Sequence, residues 1–125
     1  MIERFELRYA HAAQMIIAAA CHDIEHDGYT NAFHVNSMSE RSIRYHEKAV
    51  QENWHAATAV RLLNMEENCF LDHLSTNERQ IFHSRIVSMI LATDMSSHQS
   101  HLDQLKSKLQ VMGITAEADN GSLFI

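Results

Sequence analysis

The run Ala12-Ala13-Gln14-Met15-Ile16-Ile17-Ala18-Ala19-Ala20-Cys21, leading into His22-Asp23, decides the fold. From Phe5 to about Asp23 the pattern is helical, and beyond Ala12 it is apolar nearly all round, which predicts a helix surrounded by other helices. A bilayer span needs about 20 apolar residues, so this run, broken by Gln14, reads as a core helix. With no proline and three glycines among 125 residues, the usual punctuation of turns and strand ends is nearly missing. The expected fold is therefore all-α: one compact multi-helix bundle, about six helices joined by short polar connections.

Beyond the first helix, Gly28 can supply a left-handed turn, and Thr30 or Asn31 an N-cap for a short helix through His34 and Val35. Ser37 to His46 predicts another short helix. Lys48 to Asn64 predicts a longer one with Val50, Trp54, Ala57, Val60 and Leu62 or Leu63 on its apolar side. Ser75-Thr76-Asn77-Glu78 has the form of a capping box, opening a helix that buries Ile81, Phe82, Ile86, Met89, Ile90 and Leu91 and ends near Thr93-Asp94. Ser96-Ser97-His98-Gln99 is a second such box, ahead of a helix striped by Leu102, Leu105 and Leu109. After Gly113 the period is lost, and the tail from Thr115 to Ile125 reads as a sequence cut short.

The formal net charge of -6, from 16 acidic and 10 basic residues, argues against a nucleic-acid partner, because phosphate contacts need clustered Lys and Arg. No secretory signal or membrane span is legible. Cys21 and Cys69 are the two cysteines, too few for a disulfide framework, so a reducing, cytoplasmic setting is expected.

Ten histidines make chance pairs common. His11, His34, His46, His73 and His83 read as structural or exposed, and His98 with His101 as a chance pair. His22-Asp23 differs, because adjacent imidazole and carboxylate at the end of an apolar helix would be costly if buried without a partner or a metal. Both can reach one cation, and the second carboxylate oxygen can bridge to another, as in two-metal hydrolytic sites. His26, four positions on, is expected on the same helix face. The competing reading is a polar helix C-terminus whose imidazole is favoured by the dipole.

The run Cys21-His22-Asp23-Ile24-Glu25-His26-Asp27-Gly28-Tyr29-Thr30-Asn31-Ala32-Phe33 resembles the H-D-x-x-H-x-G-x-x-N-x-F signature of class I cyclic nucleotide phosphodiesterases. Ser39-Glu40 ahead of Tyr45, Val50-Gln51-Glu52-Asn53-Trp54-His55 (family V-L-E-N-H-H) and Ile90-Leu91-Ala92-Thr93-Asp94-Met95-Ser96-Ser97-His98 (family L-A-T-D-M-S-x-H) follow in the family's order. The resemblance runs from about Leu7 to about Leu109 and corresponds to the middle of that family's catalytic domain. Residues 1–125 are thus expected to be a partial phosphodiesterase catalytic domain of the HD type.

The resemblance implies hydrolysis of cAMP and/or cGMP to the 5'-nucleoside monophosphate by a hydroxide held between two divalent metals, zinc and magnesium or manganese. It implies that His22 and Asp23 ligate metal and that His26, Glu52 and Thr93 hold metal-bound water. It places Asn53, His55 and Asp94 in the supporting shell and Met95 at the nucleotide pocket. No catalytic residue is assigned, because the family's Y-H-N-x-x-H-A motif, with its acid histidine, does not occur in these 125 residues. The family's later metal aspartate and purine-clamping pair are not matched either. Asp27 stands where many members have proline, and Trp54 where most have histidine. The chain by itself is expected to be inactive, and the alternative function is a non-catalytic helical module acting by association. Uncovered apolar surface on the Ala12 to Cys21 helix would then drive self-association.

Overall fold

Three helices carry the core: α1 (Ile2–Cys21), α4 (Val50–Leu63) and α5 (Thr76–Leu91) pack against one another, with the short α2 (Asn31–Asn36) and α3 (Glu40–Arg44) beside α4. The structure, a computed structural model, describes residues 2–68 and 70–112, and every regular element among them is helical. Cys69, Gly113 and the tail from Thr115, Asp119 included, lie outside the described residues. The chain divides into two units, Met1–Met95 and Ser96–Ile125.

In the first unit Ala18, Ala56, Ala59, Leu71, Phe82, Ile86 and Ile90 form one cluster, and Ile86 and Ile90 have no exposed surface. Small alanines on α1 and α4 let the helices approach, and the larger side chains of α5 fill the space between. Helix α5 starts as expected: Ser75 accepts from Glu78 N while Glu78 Oε2 accepts from Ser75 N at 2.9 Å. Thr30 caps α2 through Phe33 N at 3.1 Å, and Gly28 takes φ +86°.

Several expectations are corrected. Helix α1 ends at Cys21, two residues early, and is not enclosed: Met15 is 55% and Ile16 69% exposed, while Gln14 and Ala18 are buried. Helix α3 covers only Glu40–Arg44, because His46, Glu47 and Ala49 take positive φ and break the helical path. On α4 the buried set is Val50, Gln51, His55, Ala56, Thr58 and Ala59, so polar side chains share the inward face. Ile81 points out at 45% exposure, leaving Phe82, Ile86 and Ile90 as the buried row of α5 at steps of four.

The second unit carries α6 (His98–Val111), preceded by a 3-10 turn at Met95–Ser97. At the start of α6 the cap position falls to Ser97, which has αR dihedrals and makes no side-chain cap bond. Leu105 of the stripe is 52% exposed. Among the described residues no helix is long and apolar enough to cross a membrane.

Candidate metal-binding site

Past Cys21 the backbone does not continue the helix. Ile24 N donates to Cys21 O and His26 N to Asp23 O, each at 3.1 Å, so residues 21–26 form overlapping turns. Glu25 takes φ +56°, a left-handed conformation that a side chain seldom adopts unless something holds it. Helix α4 supplies the hold: Trp54 Nε1 at 3.0 Å and Thr58 Oγ1 at 3.3 Å both donate to Glu25 Oε2. His26 therefore does not share a helix face with His22. Nor is the His22-Asp23 pair buried, its side chains being 47% and 65% exposed. What singles the pair out is geometry rather than the cost of burial.

His22 Nδ1 lies 2.8 Å from Ala19 O. A carbonyl oxygen can only accept, so Nδ1 carries the proton and the neutral ring keeps its lone pair on Nε2. Nε2 stands 3.2 Å from Asp23 Oδ2. Two acceptors this close repel unless a proton or a cation lies between them. Tetrahedral zinc with bonds of 2.0–2.1 Å to imidazole nitrogen and carboxylate oxygen separates two such ligands by about 3.3 Å. The donor pair thus fits a divalent metal in both chemistry and spacing.

His26 holds its proton on the other nitrogen. Gly28 N donates to His26 Nδ1 at 2.9 Å, which leaves Nε2 protonated and able to donate a hydrogen bond but not to ligate. Its ring stacks on His55, with centroids 5.7 Å apart and planes 21° from parallel. His55, 1% exposed, reaches in from α4: its Nδ1 donates to Ile24 O at 2.6 Å and its Nε2 is 4.0 Å from Asp23 Oδ1. One buried imidazole thus braces the backbone of the turn and faces the candidate ligand.

Glu52 sits one helical turn before His55 and so on the same side of α4, in the first turn, where the helix dipole favours a carboxylate. Asn31 orients it: Asn31 Nδ2 donates to Glu52 Oε2 at 2.9 Å while Asn31 Oδ1 accepts from Gln51 N at 2.8 Å. Helix α4 has Ala49 at its N-cap and no side-chain cap of its own, so Asn31 of α2 satisfies one of its open N–H groups from outside. Asn53 turns back instead, with Nδ2 donating to Lys48 O and Ala49 O at 3.0 Å each.

The structure thus gathers His22, Asp23, His26 and His55, with Glu52 carried on the same helix as His55. Thr93, Asp94 and Met95 follow the end of α5. Thr93 Oγ1 donates to Ile90 O at 2.7 Å, Asp94 N to Leu91 O at 3.2 Å, and Met95 is 73% exposed. Ala18 near the end of α1, Ala56 beside His55 and Ile90 in the last turn of α5 share one hydrophobic cluster, which ties these segments to a common support. Among the described residues no three His, Cys, Asp or Glu side chains are grouped so as to hold a metal.

Sequence reasoning missed a polar hub next to this site. His34, read as structural or exposed, is 4% exposed, its Nδ1 2.9 Å from Ser39 Oγ and its Nε2 3.2 Å from Asp27 Oδ2. Arg41 pairs with Asp27 at 3.2 Å and lies 4.1 Å above the Trp54 ring. Burial pushes the Asp27 carboxyl up, but the Tyr29 N–H, Gln51, His34 and Arg41 outweigh it and hold the group at about 2. The only signal was Gln51 among the apolar positions of a helix. Its partners lie too far along the chain for any periodicity to reveal them.

The sequence pattern described as 3'5'-cyclic nucleotide phosphodiesterase matches residues 4–122. A probable 3',5'-cyclic-AMP phosphodiesterase of Caenorhabditis elegans is 43% identical over 96 residues, 76% of this chain and 14% of that protein. A dual specificity calcium/calmodulin-dependent 3',5'-cyclic nucleotide phosphodiesterase of Drosophila melanogaster is 38% identical over 102 residues, 82% of this chain and 12% of its own length. The phosphodiesterase domain of a RhoPDE fusion protein from the choanoflagellate Salpingoeca rosetta superposes with a TM-score of 0.79 at 33% identity, over 89% of this chain and 35% of that one. The chain therefore spans less than a sixth of the length of these two relatives and about a third of the solved domain.

Proposed function

Because the chain belongs to the 3'5'-cyclic nucleotide phosphodiesterase family, we propose that it carries the His22-Asp23 portion of a metal centre with which the whole protein hydrolyses cAMP and/or cGMP to 5'-nucleoside monophosphates. The observation that carries this reading is the pairing of opposite tautomers. His22 keeps a lone pair on Nε2 beside a carboxylate, while His26 keeps a proton on Nε2. His22 and Asp23 would hold the metal, with Asp23 Oδ1 left to reach a second ion. His26, through Nε2–H, and Glu52, through its carboxylate, suit the two ends of a water: one gives a hydrogen bond to its oxygen, the other accepts its proton. Thr93 joins them in holding water. His55 braces the turn that carries Asp23 by donating to Ile24 O, with Asn53 and Asp94 as supporting groups, and Met95 lines the nucleotide side. Zinc with magnesium or manganese, when bound, would lower the pKa of water and offset the charge of the phosphodiester.

Two measurements test this. In the whole protein, supplied with zinc and magnesium, Asp23→Ala should lower cyclic nucleotide turnover by at least about 100-fold; unchanged turnover overturns the reading. In the 125-residue chain, calorimetry should show zinc affinity lost in Asp23→Ala but within about 3-fold of wild type in His26→Ala, since a donor nitrogen is not a ligand. The exposed Met15 and Ile16 favour a second reading for the chain taken by itself, a non-catalytic module that works by association. Cyclic nucleotide turnover by the 125-residue chain, abolished by Asp23→Ala, would rule that reading out.

A further inference from the structure

The turn that carries His26 is tied down by a carboxylate with no part in metal or water binding. Asp27 Oδ1 accepts from Gln51 Nε2 at 2.7 Å, from Tyr29 N at 3.2 Å and from His34 Nε2 at 3.3 Å, and Asp27 Oδ2 lies 3.2 Å from both His34 Nε2 and Arg41 Nη1. Those donors belong to the turn itself, to α2, to α3 and to α4. Gln51 closes the arrangement: its Nε2 also donates to Tyr29 O at 2.9 Å and its Oε1 accepts from Arg41 Nη1 at 2.8 Å. The path continues through Gln51 N to Asn31 Oδ1 and through Asn31 Nδ2 to Glu52 Oε2. An unbroken chain of hydrogen bonds thus joins the residue after His26 to the Glu52 carboxylate. His34 and Gln51 are each 4% exposed, while the Asp27 side chain that they hold is 28% exposed.

We infer that Asp27 is a positioning residue: by clamping the turn to the first turn of α4 it fixes where His26 Nε2–H and the Glu52 carboxylate point. A proline at this position, as in many family members, offers no such acceptor. The inference rests on reading His26 and Glu52 as water-binding groups, so its test includes a readout that needs no metal.

That readout is the His26 tautomer, seen in the nitrogen-15 spectrum of the 125-residue chain. Wild type should show the Nε2–H form alone. Asp27→Ala, with its helical content retained, should show both tautomers and bind Mn2+, taken as the second ion whose water His26 and Glu52 would hold, about 10–100-fold more weakly. Asp27→Asn keeps an oxygen for the Tyr29 N–H and should return His26 to one tautomer and Mn2+ affinity to within about 10-fold of wild type. A single tautomer with unchanged Mn2+ affinity in Asp27→Ala overturns the inference, and so does Asp27→Asn behaving no better than Asp27→Ala. If Asp27→Ala does not fold, Gln51→Ala replaces it, and a single His26 tautomer there is equally fatal. If wild type takes up no Mn2+, the metal reading fails, while the tautomer comparison still decides whether Asp27 positions His26.

Discussion

Single backbone contacts decide what each imidazole of the site can do. Ala19 O, Gly28 N and Ile24 O set the tautomers of His22, His26 and His55, and no side-chain identity reveals which contact a ring will meet. The clearest residue-scale consequence lies at Asp27, held at about 2 by four donors although burial pushes it the other way. An aspartate in the unfolded chain titrates near 3.9, so the folded value is the lower one. The network therefore adds stability that is fully present above about pH 4 and fades as pH falls toward 2. Urea midpoints should drop between about pH 4 and pH 2 more steeply for wild type than for Asp27→Asn. Parallel curves would show that Asp27 is not the group responsible. His22, Asp23 and His26 were legible as a group because their spacing is short. The Asp27 hub was not, because Gln51 lies 24 residues away.

At the scale of elements, local chemistry explains which starts were readable. The Ser75 box needs only Ser75 and Glu78, three residues apart with an extended cap residue, and it forms. Helix α6 instead takes Ser97 as its cap residue, with φ -92° and ψ -6° after a 3-10 turn, one residue past the Ser96 to which the S-x-x-Q pattern points. Replacing Ser75 by Ala should cost about 1 kcal/mol in chemical unfolding of the chain, and a change below a few tenths would show that the cap contributes nothing. Helix α4 shows the limit of pattern reading. Its apolar positions recur at helical spacing, yet its buried set includes Gln51, His55 and Thr58, because what it packs against at that end is a polar turn.

For the whole molecule, α1 is the telling element. Beyond Ala12 it is apolar nearly all round, but Gln14 and Ala18 face the core while Met15 and Ile16 face outward. Water-exposed apolar area of this kind drives association. We expect the 125-residue chain to self-associate in sedimentation, and Ile16→Lys to shift it toward monomer without lowering its melting temperature; a wild-type chain that stays monomeric at high concentration would contradict this. The all-α class, the capping box, the turn at Gly28 and the family motifs were set by composition and short-range spacing, since helix periodicity and turn chemistry act over a few residues. Which face of α1 is covered, which nitrogen of each histidine carries a proton, and the tie between Asp27 and α4 depended on groups distant in sequence meeting in space. Only the packing of α1, α4 and α5 brings those groups together.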